Sequence, residues 1–128
     1  GETIGSVHIT VPDTMTMADI HPLTKSIAVH LYKKFGIAMT VGVYAENQPS
    51  LEVLEVRQAL DQVVSLYTHV VQVHAFYVQE EKKVIYYDII FDFDEEDPHG
   101  TLEKIKAEMQ KRCPEYTQFA IVDTDFSN

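Results

Sequence analysis

Alternating apolar and polar residues over positions 70–94 predict a β-hairpin. Two runs rich in Val, Ile, Tyr and Phe flank the polar stretch QEEKK, which supplies the turn. A three-residue tip over residues 80–82 places His74 opposite Asp88, as direct cross-strand neighbours. The face expected to pack on helices carries Val71, Val73, Ala75, Tyr77, Ile85, Tyr87, Ile89, Phe91 and Phe93. The opposite face carries His74, Phe76, Tyr86, Asp88, Ile90 and Asp92.

Apolar residues at three- and four-residue steps predict three amphipathic helices. The first runs from Met17 to Phe35 and ends at Gly36, a residue type favoured at helix C-caps. The second begins after Ser50, a good N-cap residue, and the third stops before Pro114. Further strands are predicted over residues 4–11, 37–45 and 118–126.

The order of these elements is βαβ followed by αββαβ, with the clearest break at residues 46–50. A shift of the sequence by 78 residues aligns the first strand and helix with the fourth strand and third helix. The identical pairs are Asp19 with Asp97, His21 with His99, Ile27 with Ile105 and Lys33 with Lys111. The sequence therefore predicts an α+β chain with a partial βαβ unit over residues 1–48 and a complete αββαβ unit over residues 49–128.

Composition narrows the class of protein. The 128 residues suit a single-domain size, and 45% of them are hydrophobic, which is enough for a core. The net charge of −10 makes nucleic acid an unfavourable partner. Cys113 is the only cysteine, which fits a reducing compartment, and no apolar run approaches the roughly 18 residues of a membrane span. No signal peptide is visible.

Histidines and aspartates on neighbouring elements of the second unit are candidate metal ligands. They are His74, Asp88, His99, Asp123 and Asp125. Imidazole with carboxylates suits zinc, and a carboxylate-rich set also admits manganese or iron(II). The alternative is a solvated polar face, and His69 and His30 are expected at the surface. No nucleophile stands beside a base, so we expect no enzyme.

Two stretches resemble the cytoplasmic C-terminal domain of cation diffusion facilitator transporters. The first is SVHITVPDTMTMADIHPLTKSIAVHLYKKFGIAMTVGVYAEN, and the second is THVVQVHAFYVQEEKKVIYYDIIFDFD with QKRCPEYTQFAIVDTDFS. The resemblance implies a ferredoxin-like, metallochaperone-like fold that dimerises and binds the transported ions. It also implies a membrane domain in the same polypeptide and a location at the cytoplasmic face of the membrane.

The family's ligand positions fall on five residues of the second unit, namely His74, Asp88, His99, Asp123 and Asp125. Two of these positions usually hold His, so zinc preference is less certain than usual and manganese or iron remains open. In the first unit His8 and His21 match, but Gly42 and Tyr44 replace the expected His-x-Asp pair. The resemblance therefore implies a degraded first site.

We expect a soluble regulatory domain of a divalent-cation exporter that binds a transition metal, most readily zinc. It self-associates, either as a homodimer or through an internal pseudo-dimer of its two units. One alternative is a metal-independent dimerisation module whose ligands have decayed. Another is a small-molecule-sensing ferredoxin-like domain.

Overall fold

The computed structural model describes residues 3–123 and divides the chain into two compact units, Gly1–Gln48 and Pro49–Asn128. Three helices and two small sheets confirm the expected α+β class. The elements are β1 (Thr3–Pro12), α1 (Met17–Phe35), β2 (Ile37–Glu46), α2 (Leu51–Val64), β3 (Val70–Gln79), β4 (Val84–Phe91), α3 (Pro98–Arg112) and β5 (Thr117–Asp123). None of the helices in the described part of the chain combines the length and apolar character needed to cross a membrane.

The first unit is a βαβ crossover, in which β1 and β2 pair in parallel and α1 connects them. Thr16 caps α1 in a capping box with Asp19, which satisfies backbone donors at the start of the helix. Gly36 ends α1 in the left-handed conformation, with φ of +67°, as its position in the sequence predicted. Local signals therefore define both ends of this helix.

The second unit is a three-stranded sheet with β4 at its centre. β4 pairs antiparallel with β3 and parallel with β5, which gives the predicted αββαβ order. One face of the sheet packs against α2 and α3, because every second residue of β4 is apolar. The buried core comprises Val56, Leu60, Val63, Val78, Ile85, Tyr87, Ile89, Leu102, Ile105, Met109 and Tyr116.

The hairpin differs from the prediction in its turn and in its register. Its tip has four residues rather than three, because Gln79 pairs with Val84. A register shift follows between His74 and Tyr77, where Ala75 has a φ of +55°. The shift cancels the longer tip, so His74 still pairs with Asp88 as predicted.

The irregularities also change which side chains of β3 face the helices. Phe76 packs against the core and Tyr77 pairs with Tyr86, so the predicted faces of Phe76 and Tyr77 were wrong. Val71 was also wrongly assigned to the core: it is 61% exposed, because a second register shift lies between Val70 and Gln72. Phe93 lies beyond the end of β4 and is 94% exposed. A one-residue shift moves side chains to the other face of a sheet, which explains most of these errors.

A polar group ties the hairpin tip to the rest of the second unit. The Lys83 ammonium and the Tyr116 hydroxyl both bond to the carboxylate of Glu52 on α2. Ser50, the N-cap of α2, also donates to Glu80 in the tip at 2.9 Å. The start of α2, the tip and the residue before β5 are therefore held together by side chains.

Candidate metal sites of the second unit

The end of the β3–β4 hairpin opposite its tip brings together a histidine and two aspartates. Val70 and Phe91 form the last strand pair, and the Asp92 N–H then donates to the His69 carbonyl at 2.9 Å. His69 and Asp92 thus flank the open end of the hairpin. Asp94 follows in the loop to α3, and its N–H donates to Oδ1 of Asp92 at 3.0 Å.

The side chains of these residues form the His69 cluster, defined as His69, Asp92 and Asp94. Nδ1 of His69 lies 3.0 Å from Oδ1 and 3.2 Å from Oδ2 of Asp92. One ligand atom from each of the three residues lies within 4.8 Å of the others. The His69 and Asp92 side chains are 41% and 39% exposed, so an ion can reach them from solvent.

The electrostatic field at the cluster favours a cation. Hydrogen bonding to Asp92 raises the pKa of His69, and the negative charges of Asp92, Asp94 and Glu95 act in the same direction, against a smaller opposing effect of desolvation. A metal ion and a proton compete for the same nitrogen, because only neutral imidazole binds a metal. The raised pKa of His69 therefore indicates that the negative charges of the cluster attract a positive charge.

The spacing also suits a tetrahedral ion. Zinc bonds of about 2.0–2.2 Å to nitrogen and oxygen place two ligand atoms roughly 3.3 Å apart. The distances from Nδ1 to the Asp92 oxygens fall just below this value, so a small opening would admit the ion. The competing interpretation is a His–Asp ion pair that closes the end of the hairpin.

A second group lies on the sheet face away from the helices. His74 on β3 pairs with Asp88 on β4, and Nδ1 of His74 lies 3.9 Å from Oδ2 of Asp123 on β5. The side chains of His74 and Asp123 are 36% and 33% exposed. The sheet face group, defined as His74, Asp88 and Asp123, is looser than the His69 cluster. Within residues 3–123 its ligand atoms do not form a triad within 4.8 Å.

The remaining predicted ligands of the second unit do not join either group. His99 is exposed on the first turn of α3, and within residues 3–123 no hydrogen bond or ion pair links it to His74 or Asp123. Asp125 lies outside the described residues. The second-unit ligand set implied by the resemblance is therefore only partly assembled.

The candidate ligands of the first unit lie apart from any cluster of three among the described residues. His8 pairs with Gly42, and a Cβ at position 42 would lie 2.4 Å from Cδ2 of His8. The His8 ring also lies 5.1 Å from the ring of Tyr44, centroid to centroid. The imidazole therefore packs over the positions where the resemblance expects ligands. His21 is exposed on α1.

His69 was expected only as a surface residue, and its side chain is 41% exposed, but its contact with Asp92 was not predicted. The missed signal is its place directly before β3, at the end of the hairpin where DFD follows β4. The register shift near Val71 brings His69 opposite Asp92, and a regular hairpin would not have done so. Cys113 does not belong to the cluster, and burial raises the pKa of its thiol.

Comparisons with protein-family models, curated proteins and solved structures returned no match to this chain. Membership of the cation diffusion facilitator family therefore stays a prediction from the sequence motifs.

Proposed function

We propose that this chain is a non-catalytic domain that binds a divalent transition-metal ion and regulates a cation-efflux transporter. The observation that carries the proposal is the His69 cluster, where one nitrogen and two carboxylate oxygens lie within 4.8 Å. The mixed nitrogen and oxygen set favours zinc, with manganese or iron(II) as alternatives. Three protein ligands leave a fourth position for water or for a ligand from another chain.

The transport role rests on the sequence motifs and on the αββαβ order of the second unit. In this proposal the membrane domain belongs to the same polypeptide, and the domain lies at the cytoplasmic face of the membrane. Ion binding alters its self-association, as a homodimer or as an internal pseudo-dimer, and thereby modulates transport.

The sheet face group is the second candidate site for the same function. Its support is that three neighbouring strands contribute His74, Asp88 and Asp123 to one face. A movement that shortens the 3.9 Å separation between His74 and Asp123 would complete it. The two sites make different predictions for point variants, so one experiment separates them.

A metal-independent dimerisation module is the competing function. It is favoured by the first unit, where the His8 ring packs over Gly42 at a predicted ligand position. A small-molecule-sensing domain stays a further prediction without a specific supporting contact.

Calorimetric titration with zinc, manganese and magnesium at moderate salt tests the proposal. We expect one zinc ion per chain, with binding lost in His69→Ala and retained in His74→Ala. His30→Ala, which removes an exposed histidine of α1, is the matched control. Loss in His74→Ala alone would move the site to the sheet face group. Weak heats shared by magnesium and unchanged in both variants would leave only a diffuse acidic surface and favour the dimerisation module.

A further inference from the structure

The loop between β4 and α3 carries two ligands of the His69 cluster and leads directly into α3. Residues 92–97 read DFDEED, so five of these six side chains are carboxylates. Carboxylates so close together in the sequence repel one another at neutral pH, which opposes a single compact conformation of the loop. A defined geometry of this loop therefore needs hydrogen bonds, or a cation, that offset the repulsion.

A series of hydrogen bonds connects the cluster to the start of α3. The Glu95 N–H donates to the Asp92 carbonyl at 3.3 Å. The Asp97 N–H in turn donates to the Glu95 carboxylate at 3.2 Å, and the Gly100 N–H donates to the Asp97 carboxylate at 3.1 Å. Glu95 thus joins a residue of the cluster on one side to the residue before α3 on the other.

Asp97 is the N-cap of α3, and the first turn of the helix depends on its position. The Thr101 N–H donates to the Asp97 carbonyl at 2.9 Å. Gly100 lies so close to Asp97 that an added Cβ would collide with the carboxylate. Thr101 and Leu102 of the first turn are 8% and 4% exposed. A shift of Asp97 would therefore be transmitted to buried side chains of α3.

Asp94 can serve as a ligand only while the loop keeps its conformation. Its carboxylate supplies one ligand atom of the His69 cluster, yet its side chain is exposed. A ligand on a loop binds an ion well when neighbouring contacts fix its position. The Asp94 N–H donates to Oδ1 of Asp92, and the contacts of Glu95 follow directly along the chain.

An ion at the cluster would act on the loop in return. Its positive charge would neutralise part of the repulsion among the carboxylates of residues 92–97. The ion and the ordered loop therefore favour each other.

We propose that Glu95 is a positioning residue of the His69 cluster, and that an ion bound there stabilises the first turn of α3 through Glu95 and Asp97. This inference rests on the proposed metal-binding function and adds how the ion acts on the rest of the domain. Glu95 is not a ligand in this scheme, because its carboxylate accepts the Asp97 N–H. Coupling between two equilibria is reciprocal, so contacts that order the loop also raise the affinity for the ion.

Amide hydrogen exchange with residue resolution, measured with and without zinc, tests the inference. Zinc should slow exchange at Gly100 and Thr101 about fivefold more in the wild type and in Glu96→Ala than in Glu95→Ala. Glu96→Ala is the matched control, since it removes an equal charge from the next residue, which is exposed. Zinc at the same multiple of each Kd gives both variants the same gain in global stability, so the difference reports the first turn of α3.

Glu95→Gln separates positioning from charge. Gln keeps an oxygen that accepts the Asp97 N–H but carries no charge, so the protection of Gly100 and Thr101 should return. Calorimetry should give a zinc Kd about fivefold higher for Glu95→Ala than for Glu96→Ala. The Kd of Glu95→Gln should lie close to that of Glu96→Ala, because both variants lose one charge and keep the hydrogen bond.

The outcomes separate this inference from the metal site itself. Equal protection of the first turn in Glu95→Ala and Glu96→Ala would overturn the inference and leave the metal site in place. Equal effects of Glu95→Gln and Glu95→Ala would also overturn it, because Glu95 would then act through its charge alone. Absence of zinc binding in the wild type would instead reject the proposed metal-binding function, and this inference with it.

Discussion

The two units contain the same βαβ arrangement but differ in how well it is buried. In the second unit, apolar side chains of β4 and α3 are fully buried: Ile89 and Ile105 are 0% exposed. Ile27 of α1, which the 78-residue shift aligns with Ile105, is only half-buried. The apolar pattern therefore defines which face of each element is apolar. An additional strand and helix determine whether that face is buried from solvent.

The largest expected difference between the units concerns truncation of these aligned isoleucines. Ile105→Ala should lower the free energy of unfolding by about 2–5 kcal/mol, because it opens a cavity in a closed core. Ile27→Ala should cost clearly less, since the side chain keeps part of its contact with water in the folded state. Urea unfolding followed by circular dichroism measures both. Equal losses at dilute concentration would mean that the first unit has a closed core of its own.

Zinc should stabilise the second unit selectively. At a free concentration about one hundred times Kd, binding at the His69 cluster raises the free energy of unfolding by about 2.7 kcal/mol. Hydrogen exchange with residue resolution should show this protection in β3 and β4 but not in β1 and β2. Removing the ion with a chelator should reverse it. Protection of both units to the same extent would contradict a site confined to the second unit.

The ends of the corresponding helices provide a smaller contrast. α1 ends at Gly36 with φ of +67°, while α3 ends at Cys113 with φ of −129°. Gly36→Ala should therefore destabilise the first unit by about 1–2 kcal/mol, because a Cβ is unfavourable in the left-handed region. Gly36→Asn should cost less, since Asn tolerates that region. Thermal unfolding of the two variants measures the difference, and equal stability would mean that the backbone relaxes at this position.

Local signals allowed much of this fold to be predicted. Gly36 and Ser50 define helix ends through their own chemistry, and both occupy the expected caps. The apolar spacing of the helices was equally informative. These features depend on residues within one or two helical turns, so they can be predicted from a single sequence.

The errors arose where distant contacts override the local pattern. A positive φ at Ala75 is unexpected for a residue with a Cβ, so the irregularity there has no signal in the sequence. The predicted pairing of His74 with Asp88 was right only because this shift offsets the longer tip. The contact between His69 and Asp92 depends on the other shift, near Val71, and was missed for the same reason.

The smallest expected effect is a loss of stability at acid pH, which we expect in the second unit. Hydrogen bonds from Lys83 and Tyr116 lower the pKa of Glu52 below its usual value of 4.5. A carboxyl whose pKa is lower in the folded state stabilises the fold above its unfolded pKa. That contribution is lost as the pH falls below 4.5 and through the folded pKa.

Glu52→Gln should therefore flatten the loss of stability below pH 4.5, while lowering stability slightly at neutral pH. Glu55→Gln, an exposed position on the same helix, is the matched control. Urea midpoints measured between pH 3 and pH 7 test the comparison. Parallel pH profiles for the wild type and Glu52→Gln would show that the tie between α2 and the hairpin tip adds no pH-dependent stability. Acid sensitivity of the second unit would then have to come from other groups than Glu52.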